Sequence, residues 1–238
     1  MIDQALVFQL LRTANSAYYA VQGQVSSVSH AISIIGHDRL KTMLLQLLAA
    51  GLHQRISKGK RKTEAIWRKS VAAAGGAAAV AGYFPGVDAD ELKVAGLLHN
   101  IGELFLLSRF SDDYRRAHEL DQPHEQAEQH VFGMSSRQVG RRLVEAWRLP
   151  KALAECVEHW PAPEVPELSH DERGFLSALH VGVCLGRAWS DEETLEKAKA
   201  RISPEILWEL ETSGIEWEAA WDSVPEHVDR VRTLVEQQ

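Results

Sequence analysis

The stretch "VAAAGGAAAVAG" (Val71–Gly82) limits what this chain can fold into more than any other part of the sequence. It follows "TEAIWRKS", where Thr63 is a candidate N-cap, and the whole reads as one helix. Glycine inside a helix costs about 1 kcal/mol relative to alanine, and two stand side by side here, Gly75 and Gly76. A helix that tolerates this must recover the loss through close packing. Small side chains let a neighbouring backbone approach, so this helix is expected to lie against another, backbone near backbone.

Helical signals continue on both sides. Val7, Leu10, Leu11 and Ala14 follow the i, i+3, i+4, i+7 rule, and Leu40, Met43, Leu44, Leu47 and Leu48 repeat it. Between them, "VSSVSHAISIIG" reads as a short helix capped by Ser26 or Ser27 and closed by Gly36, with Asp38 able to cap the next. "FPGVDADELKVAG" is a turn into a new helix with Asp88 or Asp90 as its cap. That helix runs into "VAGLLHNIGELFLL" (Val94–Leu107), is apolar nearly all round, and is expected to be the central buried helix. Further helices fit Ser111–Leu120, Pro123–Val131, Ser135–Trp147, Pro150–Trp160 and Asp171–Trp189. The prolines of "WPAPEVPELSH" make it a loop. From Asp191 the chain is charged and helical, with breaks near Ser203-Pro204, Ser213-Gly214 and Val224-Pro225. No strand pattern and no repeat is present, so the fold is all-α.

Composition narrows the function classes. A net charge of −7 argues against nucleic acid as the main partner, because duplex binding rests on Lys and Arg against phosphates. The exception is the basic loop "SKGKRK" (Ser57–Lys62). No apolar run approaches the roughly 18 residues of a membrane span, and the N-terminus has no signal pattern. Cys156 and Cys184 lie in apolar helical stretches without CxxC spacing, which reads as buried, reduced thiols and a cytoplasmic protein. There is no GxSxG elbow, P-loop or GxGxxG fingerprint. His118, His124 and His130 read as a solvated face.

The segment "LLRTANSAYYAVQGQVSSVSHAISIIGHDRLKTMLLQLL" resembles the HDOD domain family. The resemblance is carried by Leu10-Leu11-Arg12, Ala14–Tyr19, Val25-Ser26-Ser27, His30-Ala31-Ile32, Gly36 and Leu40. "AGLLHNIGELFLL", "VFGMSSRQVGRRLVEAWRLP" and "ALHVGVCLGRA" agree with it in order and spacing. It implies an HD-domain-like multi-helix bundle over residues 1–190, followed by a helical C-terminal extension over 191–238 that packs on it. Members usually carry a further helical stretch ahead of the point where this chain starts, so the expectation is either a naturally short domain or a fragment of a longer protein. HDOD domains are similar to HD-type metal phosphohydrolases but act as regulatory modules in bacterial signalling, often beside receiver or cyclic-di-GMP-related domains.

The related enzymes use a first His, a His-Asp pair and a late Asp to hold a metal that activates water. By resemblance the first position falls on Lys69, and making a lysine neutral at pH 7 costs roughly 4–5 kcal/mol. The pair is His99-Asn100, which lacks the bridging carboxylate. The late Asp matches Val183, and no Asp occurs between Asp171 and Asp191. An extra His found in some enzymes matches Ser135 or Ser136, and a phosphate-holding Lys matches Glu103. His99 is then expected to be a core histidine, with Glu103 able to bond it. His99, His159 and His180 could converge on zinc only if the fold brings them together.

The expectation is a non-catalytic regulatory module without a cofactor, acting through contacts with signalling proteins. A homo-oligomer is open, while a membrane or nucleic-acid role is not expected. The alternatives are a metal-dependent phosphohydrolase with a rearranged site and a cyclic-dinucleotide or nucleotide binder, for which the basic loop, Arg115-Arg116 and Arg141-Arg142 supply cations. Trp208, Trp217 and Trp221 are candidate interface anchors. The opposite reading is that they pin the extension to the rest of the chain.

Overall fold

A computed structural model of the chain describes residues 14–15, 25, 27–36, 39–40, 51, 61–163 and 168–236. Every regular element among them is helical. Helix α1 (Val28–Ile35) starts where Ser27 accepts from the His30 backbone N–H and ends at Gly36, whose φ of 84° suits glycine. The Asn15 side chain bonds both backbone groups of Val25 at 2.8 Å each, fastening the approach to α1. The helices expected at Val7–Ala14 and Leu40–Leu48 lie largely outside the described residues, as does most of the basic loop.

Helix α2 (Arg61–Val80) carries the Ala/Gly run. Thr63 is not its N-cap: Arg61 and Lys62 are already helical, and Thr63 is buried inside the helix. A 3-10 turn (Ala81–Tyr83) leads to α3 (Ala89–Leu98), where the Asp88 carboxylate accepts from the Asp90 and Glu91 N–H groups at 2.8 Å. The sequence suggests one helix through "LLHNIGELF". The structure has two, α3 and α4 (Ile101–Arg109), with a corner at His99-Asn100. Helices α5 (Ser111–Glu119), α6 (His124–Phe132), α7 (Ser136–Ala146) and α8 (Lys151–His159) fall within about a residue of expectation.

Helix α9 (His170–Ser190) opens with a capping box between Ser169 and Glu172 and is buried almost all round from Leu176 to Gly186. It forms the centre together with α2, a position expected for the helix at Val94–Leu107. The contact is backbone on backbone. A methyl group added at Gly76 would sit 2.1 Å from the Gly182 carbonyl oxygen, and one at Gly186 would sit 2.1 Å from that of Ala72. Helix α3 is buried on the same run, with a methyl at Gly96 falling 2.7 Å from the Ala74 Cα. Gly102 of α4 meets the Ser136 carbonyl at the start of α7 in the same way.

Three helices follow: α10 (Leu195–Lys199), α11 (Pro204–Ser213) and α12 (Trp217–Glu236). The break expected at Val224-Pro225 does not occur, and Pro225 lies inside α12. An interior proline costs about 3 kcal/mol. Ala220, Val224, Val228 and Val231 offset it by burying one face of α12, with Val228 seated on Gly75. These residues share one apolar cluster with Ile66, Leu97 and Leu179. Among the described residues no helix is long and apolar enough to cross a membrane.

Candidate functional site

The corner between α3 and α4 is where the resemblance places the old metal pair. His99 is buried, and its Nδ1–H donates to the Gly96 carbonyl at 2.7 Å. That bond fixes the proton on Nδ1. The ring meets Trp160 edge-on, with centroids 5.2 Å apart. Asn100 ties the corner to α2: its Oδ1 accepts from the Ser70 hydroxyl at 2.6 Å and its Nδ2 donates to the Ile66 carbonyl at 3.3 Å. The site needs both a donor and an acceptor, which an amide supplies and a carboxylate does not.

The other positions are occupied in the same structural way. His180 is buried in α9. Its Nδ1–H donates to the Trp160 carbonyl at 2.9 Å and its Nε2 accepts from the Ser203 N–H at 3.1 Å. Both ring nitrogens are therefore used, and one of them anchors the start of α11. His159 has its Nε2 3.5 Å from Glu155, in a network that Arg141 forms with Glu145, Glu155 and Glu158. Val183 is apolar core. The Lys69 ammonium lies 4.0 Å from the Asp191 carboxylate. Glu103 does not bond His99; it accepts from the Tyr114 hydroxyl at 2.8 Å. Ser136 donates its backbone N–H to buried Glu128 at 2.7 Å.

This donor set does not fit a divalent ion. One position is a cation, one is apolar, the amide is spent on α2, and His180 has no lone pair left to give. Among the described residues no group of three or more His, Cys, Asp or Glu side chains is placed to hold a metal. Two features escaped the sequence reading. Trp160 joins His99 to His180 through its ring and its carbonyl, and its only signal is an aromatic residue at a helix end. Glu128 lies in a stretch that reads as solvated, yet its carboxylate is buried on an α7 backbone N–H.

The candidate interface residues separate. Trp217 is 6 % exposed and lies in the core, with the Lys199 ammonium 5.6 Å from its ring centroid. Trp221 packs partly buried against the same cluster. Only Trp208, at 67 % exposure, remains available among the three. His124 and His130 are exposed as expected, whereas His118 is half-buried, its ring tilted against Tyr114 and edge-on to His124. Both cysteines are buried free thiols, and burial pushes each pKa up to about 12. Arg115, Arg116 and Arg141 are each paired with carboxylates.

Burial also lowers the His99 pKa from 6.5 to about 4, and the nearby Arg187 and Lys69 charges add to the effect. The unfolded chain takes this proton near pH 6.5, the folded chain only near 4. Between those values the unfolded state binds more protons, so acid favours unfolding. The stability is present above pH 6.5 and is lost as the pH falls to about 4. The shift corresponds to about 3 kcal/mol. Urea titrations across this range should show that much less acid destabilisation in His99→Gln than in the parent.

The fold and this corner define an HD-like helical domain in which His99, Asn100 and His180, at positions the resemblance assigns to a metal site, bond to neighbouring segments. A family model for the HDOD domain matches residues 1–163, and the chain belongs to that family. An HDOD domain protein of unknown function from Geobacter sulfurreducens superposes with a TM-score of 0.67 at 19% identity, covering 98% of this chain and 82% of that one. The shared fold thus continues past residue 163 into the C-terminal helices. The MmoQ response regulator of Methylococcus capsulatus aligns with a TM-score of 0.52 and 19% identity over 87% of this chain and 79% of its own. An uncharacterised protein of Treponema pallidum is 26% identical over 180 residues, or 69% of this chain. The chain spans 33% of the length of that relative.

Proposed function

We propose that this chain is a non-catalytic regulatory module that works by protein–protein contact in bacterial signalling. The observation that carries the proposal is His180, whose two nitrogens bind backbone groups of two other segments. A residue in that state organises helices and does not hold an ion. Membership of the HDOD family and a response regulator among the structural relatives support a signalling setting. Trp208, the most exposed large hydrophobic side chain among the described residues, would anchor a partner.

Elemental mass spectrometry of protein purified without a tag or chelator tests the catalytic half. Metal far below one ion per chain is expected, and one or two ions per chain would overturn the reading. Asn100→Asp tests the site itself. The carboxylate cannot donate to the Ile66 carbonyl, so the variant should lose about 1–3 kcal/mol in urea unfolding and bind no manganese. Partner capture from the native host tests the contact half. Trp208→Ala should remove a captured partner with no change in Tm, and an unchanged set of partners would exclude this surface.

A further inference from the structure

Helices α5 and α6 form a hairpin whose buried apolar residues, Tyr114, Ala117 and Ala127, lie outside the main apolar cluster. Tyr114 instead joins Leu106 of α4 and Val139 of α7 in a small cluster of its own. Polar contacts complete the attachment. The Tyr114 hydroxyl donates to Glu103 of α4 at 2.8 Å, and buried Glu128 accepts from the Ser136 N–H at the start of α7 at 2.7 Å. Glu125 pairs with Arg137 of α7. A unit held this way can open while the α2–α9 core stays folded.

Two imidazoles meet inside the hairpin. The half-buried His118 ring has its centroid 4.1 Å from that of Tyr114 and 4.3 Å from that of exposed His124. His118 Nε2 is shielded from solvent and has no hydrogen-bond partner. A proton added there would be a buried charge without an acceptor, beside a second ring that can itself become charged. Glu103 faces His118 from α4 and Glu128 from α6, but Glu103 is bonded to Tyr114 and Glu128 to Ser136. Arg137 of α7 is turned to Glu125 and the Glu158 carbonyl, while Arg115 and Arg116 of α5 pair with Asp112 and Asp113.

We propose that His118 and His124 form an acid-sensitive latch on the α5–α6 hairpin, closed while both rings are neutral and released when they take up protons. Burial, and after it the neighbouring His124, holds the His118 pKa below its ordinary 6.5, against the opposite pull of Glu128 and Glu103. The released hairpin then binds the proton at a higher pH than the closed one, so acid favours release. The latch is fully set above pH 6.5 and weakens as the pH falls through the lowered value. Release would uncover Leu106 and Val139, which the closed hairpin covers through Tyr114.

The test is hydrogen exchange of the full chain, read by mass spectrometry at about pH 7.5 and about pH 5.5 and corrected for the intrinsic pH dependence of exchange. Peptides from Ser111–Phe132 report the hairpin, and peptides from α9 report the global acid effect of His99. In the parent chain, hairpin protection should fall about fivefold at the lower pH, the scale of repulsion between two unit charges about 4 Å apart in water. His118→Phe keeps a ring at the contact without a titrating nitrogen, and should abolish that fall while leaving the α9 peptides as in the parent. His124→Gln changes an exposed residue, so it should fold normally and reduce the fall to about twofold. An unchanged hairpin in the parent at the lower pH would overturn the proposal. So would a parent-like fall in His118→Phe, or an undiminished one in His124→Gln.

Discussion

Truncation before Trp217 should abolish cooperative folding. Helix α12 places Trp217, Val224, Val228 and Val231 in the same apolar cluster as α2 and α9. Each such side chain contributes about 1.5–3 kcal/mol on burial, so the four supply roughly 6–12 kcal/mol. A domain has only about 5–15 kcal/mol in total. Their loss would also uncover Gly75, whose missing side chain exists to receive Val228. The expected result for residues 1–216 is a broad urea transition and strong binding of a hydrophobic dye. A sharp transition near the parent midpoint would show that the α2–α9 core stands alone.

Gly76→Ala should be strongly damaging for the addition of a single methyl group. The added carbon would sit 2.1 Å from the Gly182 carbonyl oxygen and 2.7 Å from the Gly186 nitrogen. Both are backbone atoms in the middle of a buried helix, so no side chain can rotate away. Relief requires moving α2 off α9, which also lies close at Ala72–Gly186 and Ala77–Gly182. Overpacking of this kind costs about 3 kcal/mol or more. For a chain of this size that lowers Tm by about 6–12 °C. Gly82→Ala is the control, because nothing lies within 4 Å of its added methyl. It should be neutral or raise stability by up to about 1 kcal/mol, through a less flexible unfolded chain. Thermal melts of the two variants in one buffer give the comparison.

The helices were legible in the sequence because their determinants are local. Asp88, Ser135 and Ser169 cap helices through their own side chains, and Gly36, Gly133 and Gly214 end them with positive φ. The close packing of the Ala/Gly run was also legible, since a stretch without side chains has little else to gain from burial. Pro225 misled the local reading because the face that sustains α12 across it is set by contacts with α2. Thr63 misled it too, as a threonine that could cap but is buried inside a helix.

Site chemistry divides along the same line. By the resemblance, Lys69, Asn100 and Val183 stand where the related enzymes place an imidazole and carboxylates, and a cation, an amide and an alkyl group are poor donors to a metal. What those positions do instead needed the tertiary structure. Asn100 reaches back over thirty residues to Ile66 and Ser70, and His180 reaches Trp160 and Ser203. The corner at His99, the burial of Trp217 and the exposure of Trp208 also depend on which helix lies opposite. Residue types and caps are properties of a few neighbouring residues, whereas pairing and burial are decided by segments that meet only after the chain has packed.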